Sequence, residues 1–297
     1  MLVAVSAITF ALLSSAGGNA LSGLRDNPQI SEKTIEDLTK VYGLDRPFAV
    51  RYGRWLLGAA TGDLGESLSF RIPVAMLIGE RLLNTVIIGL VALIIAVATA
   101  FFLAILSVRY KNRFLAGLIE FLIMLSASTP RVVLALFALV VSMRLPFVTA
   151  TGRVSVSQLI IGAVVLAIPL ISILLAQLVD GLKSVMEEDF IRLARSKGLS
   201  EWRVIIRHAL RAALNPFLTV SGLSLGGLLS GSVIVEAVLG WPGIGALMVS
   251  AVRARDIPVV MGVVLFASVA VWFGNALAEL LQAVNDKRLR SDHTVGI

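Results

Sequence analysis

The chain has 297 residues, of which 57% are hydrophobic and only 15% are charged, and its mean hydropathy is +0.91. Soluble domains have about 45–50% apolar and about 25% charged residues, and disordered chains have still fewer apolar ones, so both classes are excluded. The net charge is +7. Cysteine is absent, which excludes disulfides, thiol catalysis and thiolate metal sites. The high apolar content indicates a polytopic membrane protein.

The N-terminal apolar run, residues 2–16, allows two interpretations. It is either a secretory signal, with Gly18 and Ala20 near the cleavage point, or a first transmembrane helix. Signal peptides normally begin with a basic segment, and no basic residue precedes this run. We therefore predict a first transmembrane helix at residues 1–16, shortened at its start.

Residues 17–83 interrupt the lipid-like composition with eight basic and eight acidic side chains. Such a balanced segment favours water, and we expect it to be extracytoplasmic. Within it, Ser31 is typical of a helix N-cap and Gly43 of the residue that ends a helix. Pro73 is expected to begin a helix that continues into the second span.

Five further apolar runs are long enough to cross a bilayer, because a spanning helix needs about 20 residues. The second of them is interrupted by Glu120, Pro130 and Arg131. With the first run they predict an all-α integral membrane protein of about six transmembrane helices, in which residues 84–297 form a five-helix core. The five runs are residues 85–106, 114–143, 159–179, 212–235 and 257–278.

The basic residues orient these helices, because short cytoplasmic loops are enriched in Lys and Arg. Cations concentrate in residues 109–113, 180–211 and 287–290, which lie on one side of a six-span protein. We predict that this side is the cytoplasm and that it also holds the N-terminus. The cations are spread over separate loops and do not form one patch with aromatic residues, so the charge does not indicate nucleic-acid binding.

The loop between the fourth and fifth spans has the pattern of two helices joined by a tight turn. Acidic residues begin the first helix and basic residues end it, which complements the helix dipole. Gly198 is expected to take the left-handed conformation after this helix, and Ser200 to cap the next one. Trp202, Ile205 and Ile206 would form an apolar stripe on that second helix. Such a unit either docks on a cytoplasmic partner or packs on the ends of the bundle.

This loop resembles the EAA motif of permease subunits in ABC importers of the dipeptide, oligopeptide and nickel type. The motif has a small residue, here Ala194, then three residues and a glycine, here Gly198, followed by nine residues and a short apolar-rich close. The sequence DFIRLARSKGLS is similar to the peptide-type motif nearly throughout. Further similarity lies in residues 42–47, 62–67 and 235–245.

The resemblance implies a multi-pass permease of the bacterial inner membrane that forms the translocation pathway for peptides or a similar small solute. The implied partners, besides the lipid bilayer, are a second permease chain, two cytoplasmic ATPases and an extracytoplasmic solute-binding protein. The chain contains no G-x-x-x-x-G-K-[ST] motif, so ATP hydrolysis is expected in the separate ATPases. We expect no enzymatic activity and no cofactor in this chain. A histidine metal site is not expected either, since the two histidines are far apart.

The resemblance also implies that residues 180–215 transmit the motion of the ATPases to the membrane helices. The short helix after Gly198 would act as the coupling helix and lie in a groove of the ATPase. The implied coupling residues are Ala194, Gly198, Leu199, Ser200, Glu201, Trp202 and Ile205.

Two charged residues are candidates for the substrate pathway or its gate. Arg131 lies in an apolar run, where a charge costs roughly 2.5–3.5 kcal/mol, so it should face protein or water. It either contacts a substrate carboxylate or a backbone carbonyl, or pairs within the bundle, for example with Glu120. Glu236 either contacts the binding protein or gates the entry, or it is an interfacial carboxylate beside a Trp anchor.

A secondary transporter driven by an ion gradient is the alternative function. Such transporters are built from inverted repeats with broken helices, and their proton or ion relays use carboxylates within the membrane. The sequence lacks an evident inverted repeat and is poor in carboxylates within its apolar runs. We therefore favour ATP-driven import.

Overall fold

The structure is a computed structural model that describes residues 1–15, 21, 31–41, 43–110, 112–144 and 155–285. Within these ranges the regular structure is helical, with one isolated antiparallel bridge between Glu66 and Pro73. The predicted all-α class is confirmed. The basic tail at 287–290 lies outside the described residues.

The helices are numbered in chain order. The first six are α1 (Leu2–Ser15), α2 (Glu32–Val41), α3 (Phe48–Ala60), α4 (Val74–Arg109), α5 (Arg113–Ser128) and α6 (Arg131–Arg144). They are followed by α7 (Val156–Met186), α8 (Asp189–Ser196), α9, α10 (Ile244–Arg253) and α11 (Ile257–Asn285). Helix α9 is continuous and comprises Glu201–Arg203, the π-helical segment Val204–Ala209 and Leu210–Leu239.

Four helical stretches in the described part of the chain are long and apolar enough to cross a membrane. Helices α5 and α6 pass the same test together, so the number becomes five if they form one span. Helix α1 is apolar but has 14 residues. At 1.5 Å per residue it is about 21 Å long, which is shorter than the hydrocarbon core of roughly 30 Å. The four stretches are Val74–Arg109, Val156–Met186, Val220–Leu239 and Ile257–Leu277.

The expected span at 114–143 is not one straight helix, because α5 and α6 meet at an angle of 96°. Pro130 causes the break: its ring disfavours the helical conformation in the preceding residue, and it has no N–H to donate. Thr129 is accordingly extended, with φ −87° and ψ 117°. Arg131 therefore begins a new helix directly at the bend.

The chain divides into two compact units, of which the first comprises Met1–Thr85 and Pro242–Ala270. The local signals predicted for this unit are confirmed. The amide of Thr34 donates to Ser31 Oγ at 3.2 Å, and Gly43 has φ +62° after α2. Helix α4 begins directly after Pro73 and continues without a break to Arg109.

A buried carboxylate fixes the loop before α4 to the start of α11 within this unit. Asp256, fully buried, accepts hydrogen bonds from Ser67 Oγ at 2.6 Å and from the Ser69 amide at 2.9 Å. The amide of Val259 also lies 3.4 Å from Asp256 Oδ1. A carboxylate at this position stabilises the N-terminus of α11 through the helix dipole. Ser67, the last residue of the motif at 62–67, thus holds this loop in place.

The second unit comprises Val86–Trp241 and Val271–Ile297. Helix α7 is central to its described part, because it contacts α5, α6 and α9 and buries apolar side chains on most of its faces. The approach to α4 is close: a Cβ at Gly162 would lie 2.6 Å from Ile88 Cδ1. A larger residue at Gly162 would therefore force the Ile88 side chain to move.

Candidate functional site

The loop after α7 contains a short helix, α8, that ends in a sharp turn. Gly198 has φ +76°, as expected for the residue that follows a helix. Its amide donates to the Arg195 carbonyl at 2.9 Å, and the Leu199 amide to the Ala194 carbonyl at 3.4 Å. These are the two bonds of a Schellman motif, which satisfies the last carbonyls of the helix. The predicted turn is confirmed.

A bidentate ion pair spans this turn. Arg195 Nε donates to Glu201 Oε1 at 2.8 Å, and Arg195 Nη2 lies 3.3 Å from Glu201 Oε2. The two side chains are 34% and 45% exposed, which leaves the pair partly shielded from solvent. Because a bidentate guanidinium–carboxylate pair is geometrically specific, it restricts the angle between α8 and α9.

The segment after Gly198 differs from the expected short helix. It is the first part of α9, which runs on through a π-helical segment into the apolar stretch that ends at Leu239. Ser200 stands at the N-cap position with extended backbone, but its side chain accepts no capping hydrogen bond. The only separate short helix in this described loop is α8.

The predicted stripe of Trp202, Ile205 and Ile206 does not lie on one face. Trp202 is 59% exposed, whereas Ile205 is fully buried. The π-helical segment explains the difference, because it winds with wider turns than an α-helix and shifts the following side chains around the axis. Val204 and Ala209 are also fully buried on this segment.

Helix α8 is amphipathic, with one face packed and the other open. Ile191 and Ala194 are buried against the core of the second unit. On the other side Phe190 and Leu193 are 44% and 56% exposed. The sequence-based selection missed this pair. The sequence feature that could have identified the pair is the i, i+3 spacing of two large apolar residues, which places both side chains on the same side of a helix.

The seven predicted coupling residues therefore have different environments. Ala194 and Ile205 are buried, and Leu199 is half-buried. The side chains of Ser200, Glu201 and Trp202 are exposed, and Gly198 lies in the exposed turn. The loop brings all seven into one helix–turn–helix unit, in which four residues face outward and three face inward or lie half-buried.

Arg131 lies at the bend between α5 and α6 and reaches across to α9. Its Nη1 donates to the carbonyl of Gly227 at 3.2 Å. A Cβ at Gly231 would lie 3.0 Å from Nη1, so a glycine there gives the guanidinium room. Within the described residues no carboxylate forms an ion pair with Arg131, and the side chain of Glu120 is exposed.

A cavity of about 30 Å³ adjoins this guanidinium and is lined mainly by α7 and α9. A space of this size holds a water molecule or two. A separate apolar cavity of about 420 Å³ is lined mainly by residues of α4, α5 and α7. Its hydroxyl groups donate to backbone carbonyls, as Ser126 does to Ile168 at 2.7 Å. The larger cavity therefore offers hydrocarbon surface and few free polar groups.

Glu236 lies near the end of α9 and is fully buried. In this conformation its side chain has no surface that a separate binding protein could contact. Trp241 is also buried, at 2% exposure, which disfavours the alternative of an interfacial carboxylate beside a Trp anchor. Its amide donates to the Glu236 carbonyl at 2.9 Å.

The apolar helices and the helix–turn–helix loop define a polytopic α-helical membrane protein. Comparison with known proteins adds the family. Residues 93–291 match the family described as binding-protein-dependent transport system inner membrane component. The chain therefore belongs to this family of multi-pass inner-membrane permeases of ABC importers, which are transporters and not catalytic enzymes.

Among the relatives that are similar over nearly the whole chain are two transport permeases. The oligopeptide transport system permease protein AppB of Bacillus subtilis is 32% identical over 301 residues, covering 97% of this chain and 95% of the relative. The dipeptide transport system permease protein DppB of Lactococcus lactis is 32% identical over 285 residues, covering 95% and 93% respectively. The resemblance drawn from the EAA loop is confirmed.

Proposed function

We propose that this chain forms, with a second permease chain, the translocation pathway of an ATP-driven importer for peptides. The observation that carries this proposal is the pair Phe190 and Leu193, which α8 presents to solvent on a unit fixed to a membrane helix. Exposed large apolar side chains on an amphipathic helix are suited to a groove of a partner protein. The similarity to oligopeptide and dipeptide permeases supports peptides as the solute.

The proposed topology has six spans. Helix α1 is the first, α4 the second, the bent pair α5 and α6 the third, and α7, α9 and α11 are the others. Residues 17–83 then lie outside the cytoplasm, residues 84–297 form the permease core, and the loop 180–215 lies in the cytoplasm. The concentration of cations in residues 109–113 and 180–211 supports this orientation.

We assign the role of coupling helix to α8 instead of the segment after Gly198. The groove of one ATPase would hold Phe190 and Leu193, while the buried Ile191 and Ala194 transmit the force to the permease core. The left-handed Gly198 and the ion pair between Arg195 and Glu201 would keep α8 at a fixed angle to α9. Closure of the ATPase pair would then move α9 and switch the pathway between its two open states.

Arg131 is proposed to line the pathway. Its guanidinium is held only by a neutral carbonyl among the described residues, so its charge is available to a peptide carboxylate or carbonyl. The adjoining space next to Gly227 and Gly231 is only about 30 Å³, so this contact requires a more open pathway than the present conformation has. Because a guanidinium binds a carboxylate bidentately, it would favour peptides with a free C-terminus.

Replacement of Arg131 tests this role. We expect Arg131→Gln to reduce uptake of a peptide with a free C-terminus at least about tenfold and to affect its C-terminal amide much less, because a lost charge-assisted hydrogen bond costs about 1.5–3 kcal/mol. Arg144→Gln, at the exposed end of α6, is the control. An equal loss for both peptides would show that Arg131 has a structural role and does not read the carboxylate.

Purification in mild detergent followed by mass spectrometry tests the proposed assembly. We expect the tagged chain to bring down a P-loop ATPase and a second permease in stoichiometric amounts. Recovery of this chain alone, as a monomer or paired with itself, from membranes that contain those partners would refute the assembly.

A further inference from the structure

A cavity of about 160 Å³ in the first unit gathers three arginines around an aromatic wall. Arg51 and Arg54 project from α3, and Arg46 comes from the turn before it. The apolar lining includes Phe10 of α1 and Ile257 at the start of α11. Phe10 also contacts α3 directly, with its ring centroid 5.2 Å from that of Phe48 and 5.6 Å from that of Tyr52.

The three guanidinium groups have no counter-ion in the part of the chain that the structure describes. The ion pairs found there involve other residues. Arg51 lies over the ring of Phe10, 5.5 Å from its centroid, and burial lowers the pKa of Arg51 below its ordinary value. Arginine remains charged in proteins, so these three side chains concentrate positive charge at the cavity.

Trp55 adds an unused hydrogen-bond donor to the same wall. Its Nε1 is buried and has no acceptor among the described residues. An indole N–H can only donate, and buried donors in folded proteins nearly always find an acceptor. The cavity is thus lined by three arginines and by Trp55, and its lining includes no carboxylate.

We propose that this cavity binds the phosphate group of an anionic phospholipid. A cavity of about 150 Å³ holds a molecule the size of benzene, so this one accepts a single headgroup phosphate and not a whole peptide. It also lies where the apolar helix α1 and the first turn of the spanning helix α11 meet the amphipathic helix α3, so acyl chains could continue along the exposed apolar side chains of α1, Ile8 and Leu12. Basic pockets between transmembrane helices bind anionic headgroups on the cytoplasmic side of other proteins, and we propose the same charge chemistry here for the outer leaflet.

Native mass spectrometry of the full chain in detergent tests the site with phosphatidylglycerol and phosphatidylcholine as probes. We expect preferential retention of phosphatidylglycerol. Each cation near an anionic lipid raises the binding affinity severalfold. Arg51→Gln combined with Arg54→Gln should therefore weaken retention of the lipid about tenfold or more. Lys33→Gln combined with Arg253→Gln removes the same charge from exposed positions outside the cavity and should have little effect.

Trp55→Phe is a second test variant, and it leaves all charged side chains in place. It removes only the N–H donor and part of the ring, and we expect retention to fall about fivefold. Inorganic phosphate and the peptide trialanine offer a phosphate and a carboxylate without acyl chains. Neither should displace the lipid at millimolar concentration. Equal retention of both lipids, equal loss in the control variant, or displacement by either free anion would overturn the proposal.

Discussion

Replacing Phe190 and Leu193 together by aspartate is expected to release the ATPase from this permease, while the membrane helices remain folded. Both side chains are about half exposed on the open face of α8, and neither contributes to the buried core. Large apolar side chains at the centre of an interface supply much of its binding energy, and a carboxylate there must be desolvated without a partner. We expect the double variant to weaken binding of the ATPase at least about a hundredfold, or roughly 2.8 kcal/mol.

The measurement is the amount of ATPase that purifies with the tagged chain, relative to the second permease. Arg192→Asp is the control, because it adds a carboxylate to the same exposed helix about 100° away from Leu193. Its ion pair with Asp189 is exposed and contributes little to stability. If the double variant retained the ATPase at the wild-type ratio, α8 could not be the docking helix.

Valine in place of Gly198 will uncouple ATP hydrolysis from uptake, whereas asparagine will not. A Cβ at this position meets no atom within 4 Å, so the effect of a side chain comes from the backbone alone. The left-handed conformation costs an ordinary L-residue about 1–2 kcal/mol, is worse for a β-branched one, and is tolerated by asparagine. We expect Gly198→Val to change the angle between α8 and α9 and to reduce uptake at least about tenfold, the factor that 1.4 kcal/mol represents.

Uptake and ATP hydrolysis are measured on the same reconstituted complexes, normalised to the amount of permease. The Gly198→Val variant should hydrolyse ATP with little uptake, and the Gly198→Asn variant should keep most of the wild-type ratio. Wild-type uptake per ATP with Gly198→Val would mean that the turn does not transmit the motion.

Local chemistry in the sequence predicted the features that depend on neighbouring residues. Gly198 ends α8 because its backbone reaches the left-handed region, and Ser31 caps α2 because its hydroxyl lies within reach of Thr34. Pro73 precedes α4 for a similarly local reason, whereas the 96° bend at Pro130 was not among the expectations. These expectations needed no knowledge of the tertiary packing.

Features that depend on distant residues were beyond such reasoning. The Gly227 carbonyl that holds Arg131 is 96 residues away in the chain, and Asp256 is 189 residues from Ser67. The continuity of α9 and the burial of Ile205 were also not anticipated, because the local pattern indicated a separate short helix. The burial of Glu236 likewise follows from packing that no spacing in the sequence indicated.

Peptide uptake into proteoliposomes tests most directly whether this chain is the permease of an ATP-driven importer. The complex would be reconstituted with its ATPases and binding protein, and uptake compared with and without ATP and with a protonophore uncoupler. We predict uptake that requires ATP and the binding protein and is unchanged by the uncoupler. Uptake without ATP that follows an imposed ion gradient and is abolished by the uncoupler would contradict the account and establish a secondary transporter.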